Sequence, residues 1–257
     1  MKIHLAKFHT IICVPCYNES RRLNKAAFLS YVNEHRDVAF LFVNDGSKDD
    51  TLNILTEFVE EHENLLVFNL EQNGGKAEAV RQGMMYINQN FQSHYIGFWD
   101  ADLATPLNEL SNFMTIIQQQ NFDMVTGLRL MRLGAKVKRK TSRHYLGRIF
   151  ATFAAMILHI AVYDTQCGAK LYKAELVPYL FEEKFSTRWL FDIEILARYL
   201  QRYDRDKAKS CIYEYPLFTW EDKSGSQVKV KDFVKAPIEL WKIRQRYFFG
   251  HKAVEKN

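Results

Sequence analysis

Four short apolar runs in the first hundred residues, each stopping at a polar cluster, constrain this chain more than any other feature. IICVP (11–15) leads to Tyr17-Asn18-Glu19, and VAFLFVND (38–45) leads to Asp45-Gly46-Ser47. LLVFNL (65–70) leads to Asn73-Gly74-Gly75-Lys76, and HYIGFWD (94–100) to Asp100-Ala101-Asp102. Continuous apolar runs suit strands buried on both faces, since a solvated face would impose alternation. The intervening segments suit helices. Residues 21–36 mix polar and apolar positions, and Asp49-Asp50-Thr51 can cap a helix carrying Leu52, Leu55, Val59 and His62. Val80, Met84, Ile87 and Phe91 mark one face of a third helix, and Pro106 sits near the first turn of a fourth that runs toward Gln120. Strands alternating with helices predict an α/β fold, a mostly parallel sheet flanked by helices on both faces. Ligands bind beyond the carboxyl ends of such strands, so all four polar clusters are expected on one rim.

The second half is less regular. FDMVTGLRL (122–130) suits a strand, 143–162 an apolar helix, RWLFDIEILARYL (188–200) a helix, and SCIYEYPLFTW (210–220) a strand. The end, KVKDFVKAPIELWKIRQRYFFG, suits a basic, aromatic-rich helix, so a catalytic domain over 1–230 and a C-terminal helix and tail over 231–257 are expected. With 257 residues, 47% apolar and 25% charged, the chain is globular and can bury a sizeable core. Its net charge of +5 is mild, so the placement of charge matters more. Arg129, Arg132, Lys136, Lys138, Arg139, Lys140, Arg143 and Arg148 fall in one stretch, with no acid between Asp123 and Asp164. Four cysteines are too few for a disulfide scaffold, and no second C-x-x-C completes a zinc site with Cys13 and Cys16. Reduced thiols packed near a strand end are expected instead. The opening MKIHLAKFHT lacks the apolar stretch of a signal peptide, and no run reaches membrane-spanning length. The nearest, residues 149–163, is short and interrupted by His159.

Chemistry concentrates on the expected rim. Asp100 and Asp102, one residue apart where an apolar strand enters a loop, can both reach one divalent cation, Mg or Mn, whose shell substrate phosphates commonly complete. Asp45 can accept from the N–H of a base, or can hold a turn or a helix start. Tyr17 can stack on a base, and Glu19 can take ribose hydroxyls. Gly74-Gly75-Lys76 opens a helix, where free backbone N–H groups and a lysine suit a phosphate; it is not a Walker motif.

VPCYNE, VNDGSKDDT, NGGKAEAVRQGM and DADLATP, in this order and spacing, resemble family-two glycosyltransferases of the GT-A fold, which has a Rossmann-like nucleotide-binding half, over about residues 10–110. DTQCGAKLYK (164–173), RWLFDIEIL (188–196) and TWEDKSGSQVKV (219–230) extend the resemblance to dolichyl-phosphate glucosyltransferases and related polyprenyl-phosphate sugar transferases. The resemblance implies that Pro15, Tyr17, Glu19 and Asp45 hold the nucleoside, with Lys76 near base or phosphates. It implies a metal on Asp100 and Asp102 bridging the diphosphate, and Asp164, Gln166, Lys170 and Asp192 on the sugar and acceptor side. Two departures stand out. Ala104-Thr105 matches the glucosyl relatives rather than the mannosyl ones, and Ala169 replaces the usual Phe of Cys-Gly-Phe-Lys.

The implied reaction is inverting transfer of a hexose, glucose by this reading, from a UDP-linked donor to a polyprenyl or dolichyl phosphate. A sugar hydroxyl acceptor would need a general base, for which Asp192 or Glu194 is a candidate. A phosphate acceptor is already ionised and needs cations, for which Arg129, Arg139 and Arg143 are candidates. Transfer to a glycan or protein hydroxyl is the alternative on the same fold. Nucleic acid is not an expected partner, since the acidic rim would repel phosphates and the basic stretch has few aromatics. The apolar segment 149–163 and the C-terminal helix, with Trp241, Tyr247, Phe248 and Phe249 among Lys242, Arg244 and Arg246, suit a membrane interface. A cytoplasmic enzyme, peripheral on the inner face of a membrane, is the expected setting.

Overall fold

The structure is a computed structural model describing residues 7–138, 141–223 and 230–249; the side chains of 141–146 and 230–235 lie outside that description. The first half alternates as expected: β1 (Thr10–Cys16), α1 (Lys25–Glu34), β2 (Val38–Asp45), α2 (Thr51–Val59), β3 (Leu65–Leu70), α3 (Lys76–Asn90), β4 (Tyr95–Trp99), α4 (Asn108–Gln119) and β5 (Met124–Leu128). There follow β6 (Lys136–Lys138), α5 (Thr141–Leu158), β7 (Ala169–Lys173), α6 (Val177–Phe181), α7 (Phe191–Arg202), α8 (Arg205–Cys211), β8 (Ile212–Pro216), β9 (Thr219–Glu221) and α9 (Val230–Arg244). A π-helical turn over Gln245–Phe249 extends α9. The main sheet has seven strands in the order β3-β2-β1-β4-β7-β5-β8, and β6 pairs with β9 apart from it.

The two-residue period of the strands sends alternate side chains into separate cores. Ile11 and Cys13 of β1 join Leu41 and Val43 of β2 beneath α3, α6 and α7. Ile12 and Val14 join Phe40 and Phe42 on the opposite face, against Phe28 of α1, Phe58 of α2 and Phe113 of α4. Both faces are therefore covered, which is why these strands appear as continuous apolar runs. Cys13 and Cys16 are buried free thiols within this packing.

This arrangement fixes where the sheet can open. Helices α1 and α2 lie on one face and α3 on the other, so the chain reverses direction across the sheet between β1 and β4. The β1–β4 ladder stops at Cys13–Phe98, while β1–β2 continues to Cys16–Asn44 and β4–β7 to Trp99–Ala169. A crevice therefore opens between the ends of β1 and β4, the switch-point position where doubly wound sheets bind ligands.

Several sequence-based boundaries move. The segment 19–23 is a turn in which Arg22 and Leu23 N–H donate to the Glu19 carbonyl, and α1 waits for Asn24, whose side chain accepts from Ala27 N–H. Helix α5 ends at Leu158 because His159 takes a left-handed φ of 55°. The stretch 210–220 is not one strand: Ser210-Cys211 finish α8, and β8 and β9 are separate. Strand β7 was not expected. It is short, carries two lysines, and runs antiparallel to both β4 and β5. The C-terminal helix packs into the same core as α3 and α7 through Ala236, Leu240, Ile243 and Tyr247.

Gly97 faces β7 so closely that a Cβ there would collide with the Lys170 carbonyl oxygen. Gly97→Ala is expected to destabilise the fold by about 1–3 kcal/mol or more, as overpacked cores do. The melting temperature would then fall by about 2–4 °C for each kcal/mol. An unchanged melting temperature would show that β4 and β7 can separate without cost.

Candidate active site

The crevice widens into a cleft of about 530 Å³ on the expected rim, a size suited to a small-molecule or cofactor site. Of the residues singled out from sequence, Pro15, Tyr17, Glu19, Asp45, Lys76, Asp100, Asp102, Arg129, Gln166 and Asp192 line it. Asp164 and Lys170 stand behind it, Asp164 bordering a smaller neighbouring cavity. Arg139 and the Arg143 side chain lie outside the described residues, as does 224–229 of the TWEDKSGSQVKV motif.

At the α3 end of the cleft, Asp45 organises the loop before the helix. Its carboxylate accepts from Gly74 N–H at 2.7 Å, Gly75 N–H at 2.9 Å and Asn73 Nδ2 at 3.0 Å. Gly75 has φ 87°, a left-handed conformation that favours glycine. Lys76 then extends its ammonium to Asp100 Oδ1 at 2.5 Å. The β1 and β2 loops are stitched together by Asn18, whose N–H donates to Ser47 Oγ and whose Oδ1 accepts from Lys48 N–H.

Asp100 donates its N–H to the Gly168 carbonyl at 2.9 Å, and Gly168 has no room for a Cβ beside the Asp100 carboxylate. Asp102 Oδ1 accepts from Ala104 N–H at 3.0 Å. Glu19 is buried, with one oxygen held by Arg22 at 2.6 Å and the other, Oε2, without a hydrogen-bond partner. Burial raises the pKa of Glu19, and the nearby charges of Asp102 and Asp100 raise it further. Burial and the Asp100 charge raise Asp102 likewise. Asp100 and Asp102 offer hard-oxygen donors of the kind a divalent cation takes, although no group of three or more possible ligands is gathered among the described residues.

Two buried ion pairs stand where β5, β7 and α7 meet the cleft. Arg129 donates from Nε and Nη2 to the two Asp164 oxygens at 2.6 and 2.7 Å, and its backbone N–H joins them at 3.1 Å. Its guanidinium also lies 5.4 Å from the Trp220 ring centroid. Lys170, on β7, donates to the Thr165 and Cys167 carbonyls and to Asp192 Oδ1 at 2.5 Å. Burial raises the pKa of Asp192, against the pull of Lys170 and Lys76. Glu194 is wholly buried and faces away from the cleft. It accepts from the N–H and hydroxyl of both Ser186 and Thr187, and from the Tyr247 hydroxyl. Asp192 alone of the two acids on this helix therefore reaches the cleft.

Arg188 and Trp189 also line the cleft, together with Arg22, Trp220, Asp222 and Lys223. The sequence reading placed 188–189 inside a helix. In the structure α7 starts at Phe191, because Glu194 gathers the preceding segment into a loop. Arg188 thereby reaches the Gly74 carbonyl at 3.0 Å. Only the charge and aromaticity of Arg188-Trp189, next to the Phe191-Asp192 pair, offered a signal for them.

A switch-point crevice carrying an acidic pair and a glycine-lysine helix start suits a phosphate-bearing ligand. The chain belongs to glycosyl transferase family 2, whose model matches residues 11–181. It is 30% identical over 253 residues to the dolichyl-phosphate beta-glucosyltransferase ALG5C of Trichomonas vaginalis, covering 93% of this chain and 71% of that relative. It is 29% identical over 255 residues to the dolichyl-phosphate beta-glucosyltransferase of Dictyostelium discoideum, covering 93% and 75%. Among solved structures it resembles glucosyl-3-phosphoglycerate synthase from Mycobacterium tuberculosis, crystallised with Mn2+, UDP and glucosyl-3-phosphoglycerate. That match has a TM-score of 0.67 and 15% identity, over 97% of this chain and 82% of that one.

Two predictions follow from the charges. Carboxylates whose pKa is raised on folding, as for Asp102 and Glu19, stabilise the fold at acidic pH and lose that contribution as pH rises through the folded value. At neutral pH their ionisation opposes folding. Asp102→Asn keeps the Ala104 hydrogen bond and removes the charge, so it should melt higher than wild type in a chelator and gain less from added Mn2+. An unaltered response to Mn2+ in thermal scans would remove Asp102 from the metal site. Separately, Lys170→Met leaves Asp192 buried and unpaired, at an expected cost of about 3–5 kcal/mol in urea unfolding. Lys170→Met with Asp192→Leu should recover much of this, and equal losses in both variants would refute the pairing.

Proposed function

We propose that this protein moves glucose from UDP-glucose to the phosphate of a polyprenyl or dolichyl phosphate, inverting the anomeric carbon. The similarity to dolichyl-phosphate beta-glucosyltransferases over more than nine-tenths of the chain supports the sugar and the acceptor class. The observation that carries the phosphate acceptor is the state of Asp164 and Asp192. Asp164 is locked by Arg129 and Asp192 by Lys170. A hydroxyl acceptor needs a carboxylate ready to take its proton, whereas an ionised phosphate needs only to be held beside another anion.

In this reading Tyr17, Glu19 and Asp45 surround the nucleoside, and Lys76 meets the diphosphate. A divalent cation, Mg or Mn, would be held by Asp100 and Asp102 and would supply Lewis-acid stabilisation of the leaving diphosphate. An acceptor phosphate oxygen forms the new bond to the anomeric carbon from the face opposite the donor diphosphate. The diphosphate keeps the electron pair of the broken glycosidic bond, and no proton moves. Lys76 places positive charge where the leaving group gains its negative charge, and so contributes transition-state stabilisation. Lys170 fixes Asp192, while Gln166 and Asp192 face the sugar. Arg129, with the neighbouring basic stretch that includes Arg139 and Arg143, offsets the charge of the incoming phosphate. The setting that follows is peripheral, on the cytoplasmic face of a membrane holding the lipid.

Incubation with Mn2+ and a panel of sugar nucleotides, with and without dolichyl phosphate, tests this. UDP release from UDP-glucose that depends on the lipid is the expected result. Turnover with a soluble sugar acceptor in place of the lipid would overturn it.

A further inference from the structure

Exposed apolar side chains are unevenly distributed. Among the described residues, every large hydrophobic side chain left mainly in solvent lies after residue 130; none lies on α1–α4 or the strands between them. Single exposed hydrophobics need no explanation, but a one-sided accumulation marks an interaction surface. On α5, Ile149, Phe153 and Met156 are each more than half exposed. Their spacing of four and three residues puts them on one stripe of the helix. The opposite face of α5 is spent on the core through Phe150, Ala154 and Leu158. Helix α9 packs beside α5, buries Ala236, Leu240 and Ile243 in that same core, and turns Ile238 and Trp241 outward, each 59% exposed. At the cleft end, Leu130 of the β5–β6 loop borders the same small cavity as Arg148 and Ala151 of α5. Three residues further on, Leu133 is fully exposed.

We propose that this face docks on the surface of an anionic lipid bilayer. The proposal rests on the lipid-phosphate reading of the site and names the surface that would bring the site to such a substrate. Charge selects the occupant. The stretch from 124 to 163 contains no acid, and Arg132 beside Leu133, Arg148 beside Ile149, and Lys242 and Arg244 on α9 are exposed. A symmetric contact with a second copy would bring like charges together, whereas anionic headgroups neutralise them while the interface accepts the apolar side chains. The trough between headgroup and acyl chain suits a helix that has one apolar stripe but no spanning length, and no described helix is long and apolar enough to cross a membrane. Gly147 lines the cleft just before the stripe begins. A headgroup phosphate can therefore enter the site while its chain stays in the bilayer.

The test is sedimentation of the full chain with phosphatidylcholine vesicles, with and without phosphatidylglycerol, and no polyprenyl phosphate present. Binding that requires phosphatidylglycerol and weakens with salt is expected, with a blue shift in tryptophan emission as Trp241 leaves water. Phe153→Ser and Trp241→Ser should each weaken vesicle binding at least about tenfold, the size expected for one large apolar side chain, while the melting temperature and UDP binding stay at wild-type values. No binding to either vesicle, or binding indifferent to both substitutions, overturns the proposal. So does a concentration-dependent dimer that Trp241→Ser abolishes. UDP binding by a protein that ignores vesicles would sink the docking face alone, whereas loss of UDP binding in the wild type would sink the reading of the site.

Discussion

The end of one strand ladder governs this molecule. Strands β1 and β4 pair from Thr10–Tyr95 to Cys13–Phe98 and then part. Because α1 and α2 cover one face and α3 the other, neither set of helices closes the gap. Everything with chemistry collects there. Glu19 follows β1 and the aspartate pair follows β4, so the fold itself forces three carboxylates toward one another. Burial and mutual repulsion make that gathering unfavourable without a counterion. The site is thus held ready for positive charge by the topology of the sheet rather than by any local loop conformation.

The compensation is visible in how cations are distributed. Lys76 rests on Asp100, Arg22 on Glu19, Arg129 on Asp164 and Lys170 on Asp192. The last two pairs are nearly dry, where a lone charge would be intolerable and a hydrogen-bonded pair is sustainable. Lys170 meets three acceptors at once, which orients Asp192 at the cleft wall. The two outer pairs line the cleft, where, in the proposed reaction, an incoming diphosphate would replace the internal partner. The inner pairs are the more buried and the outer ones the more exposed.

How much of this the sequence disclosed depends on the range of the interaction. Strands β2 and β3 match their expected bounds because burial on both faces writes a continuous apolar run with sharp ends. The rim followed from alternation alone, and Asp45, Lys76, Asp100 and Asp102 came with it. Strand β7 stayed hidden because Ala169–Lys173 carries two lysines, and Lys170 is buried only by partners as distant as Asp192, 22 residues away. The pairing of Arg129 with Asp164 spans 35 residues, so sequence alone did not show that this candidate phosphate ligand is also half of an ion pair. Tyr247 looked like an interfacial aromatic from its basic neighbours; it is buried, with its hydroxyl on Glu194. A basic, aromatic helix declares its amphipathicity, but which aromatic turns inward depends on a carboxylate 53 residues away.

That carboxylate links regions that would otherwise be independent. Glu194 binds the Ser186–Thr187 loop, and the next residue, Arg188, reaches the Gly74 carbonyl in the loop that Asp45 holds. On its other side Glu194 receives Tyr247, and Arg198 bonds both Tyr247 and the carbonyls of Leu180 and Lys184. Hydrogen bonds and one step along the chain, from Thr187 to Arg188, therefore connect the C-terminal helix, whose outer face carries Trp241, to the loop before α3. The bonds around Glu194 and Arg198 are buried or half-buried, where their electrostatic strength exceeds that of the same contacts in water, and only the link from Arg188 to Gly74 is exposed. Displacing α9 would leave Glu194 short of a donor and loosen the segment that positions Arg188 and Trp189. The helix beyond the family match is in this sense part of the site, and its outer face is oriented by the same contacts that shape the donor loop.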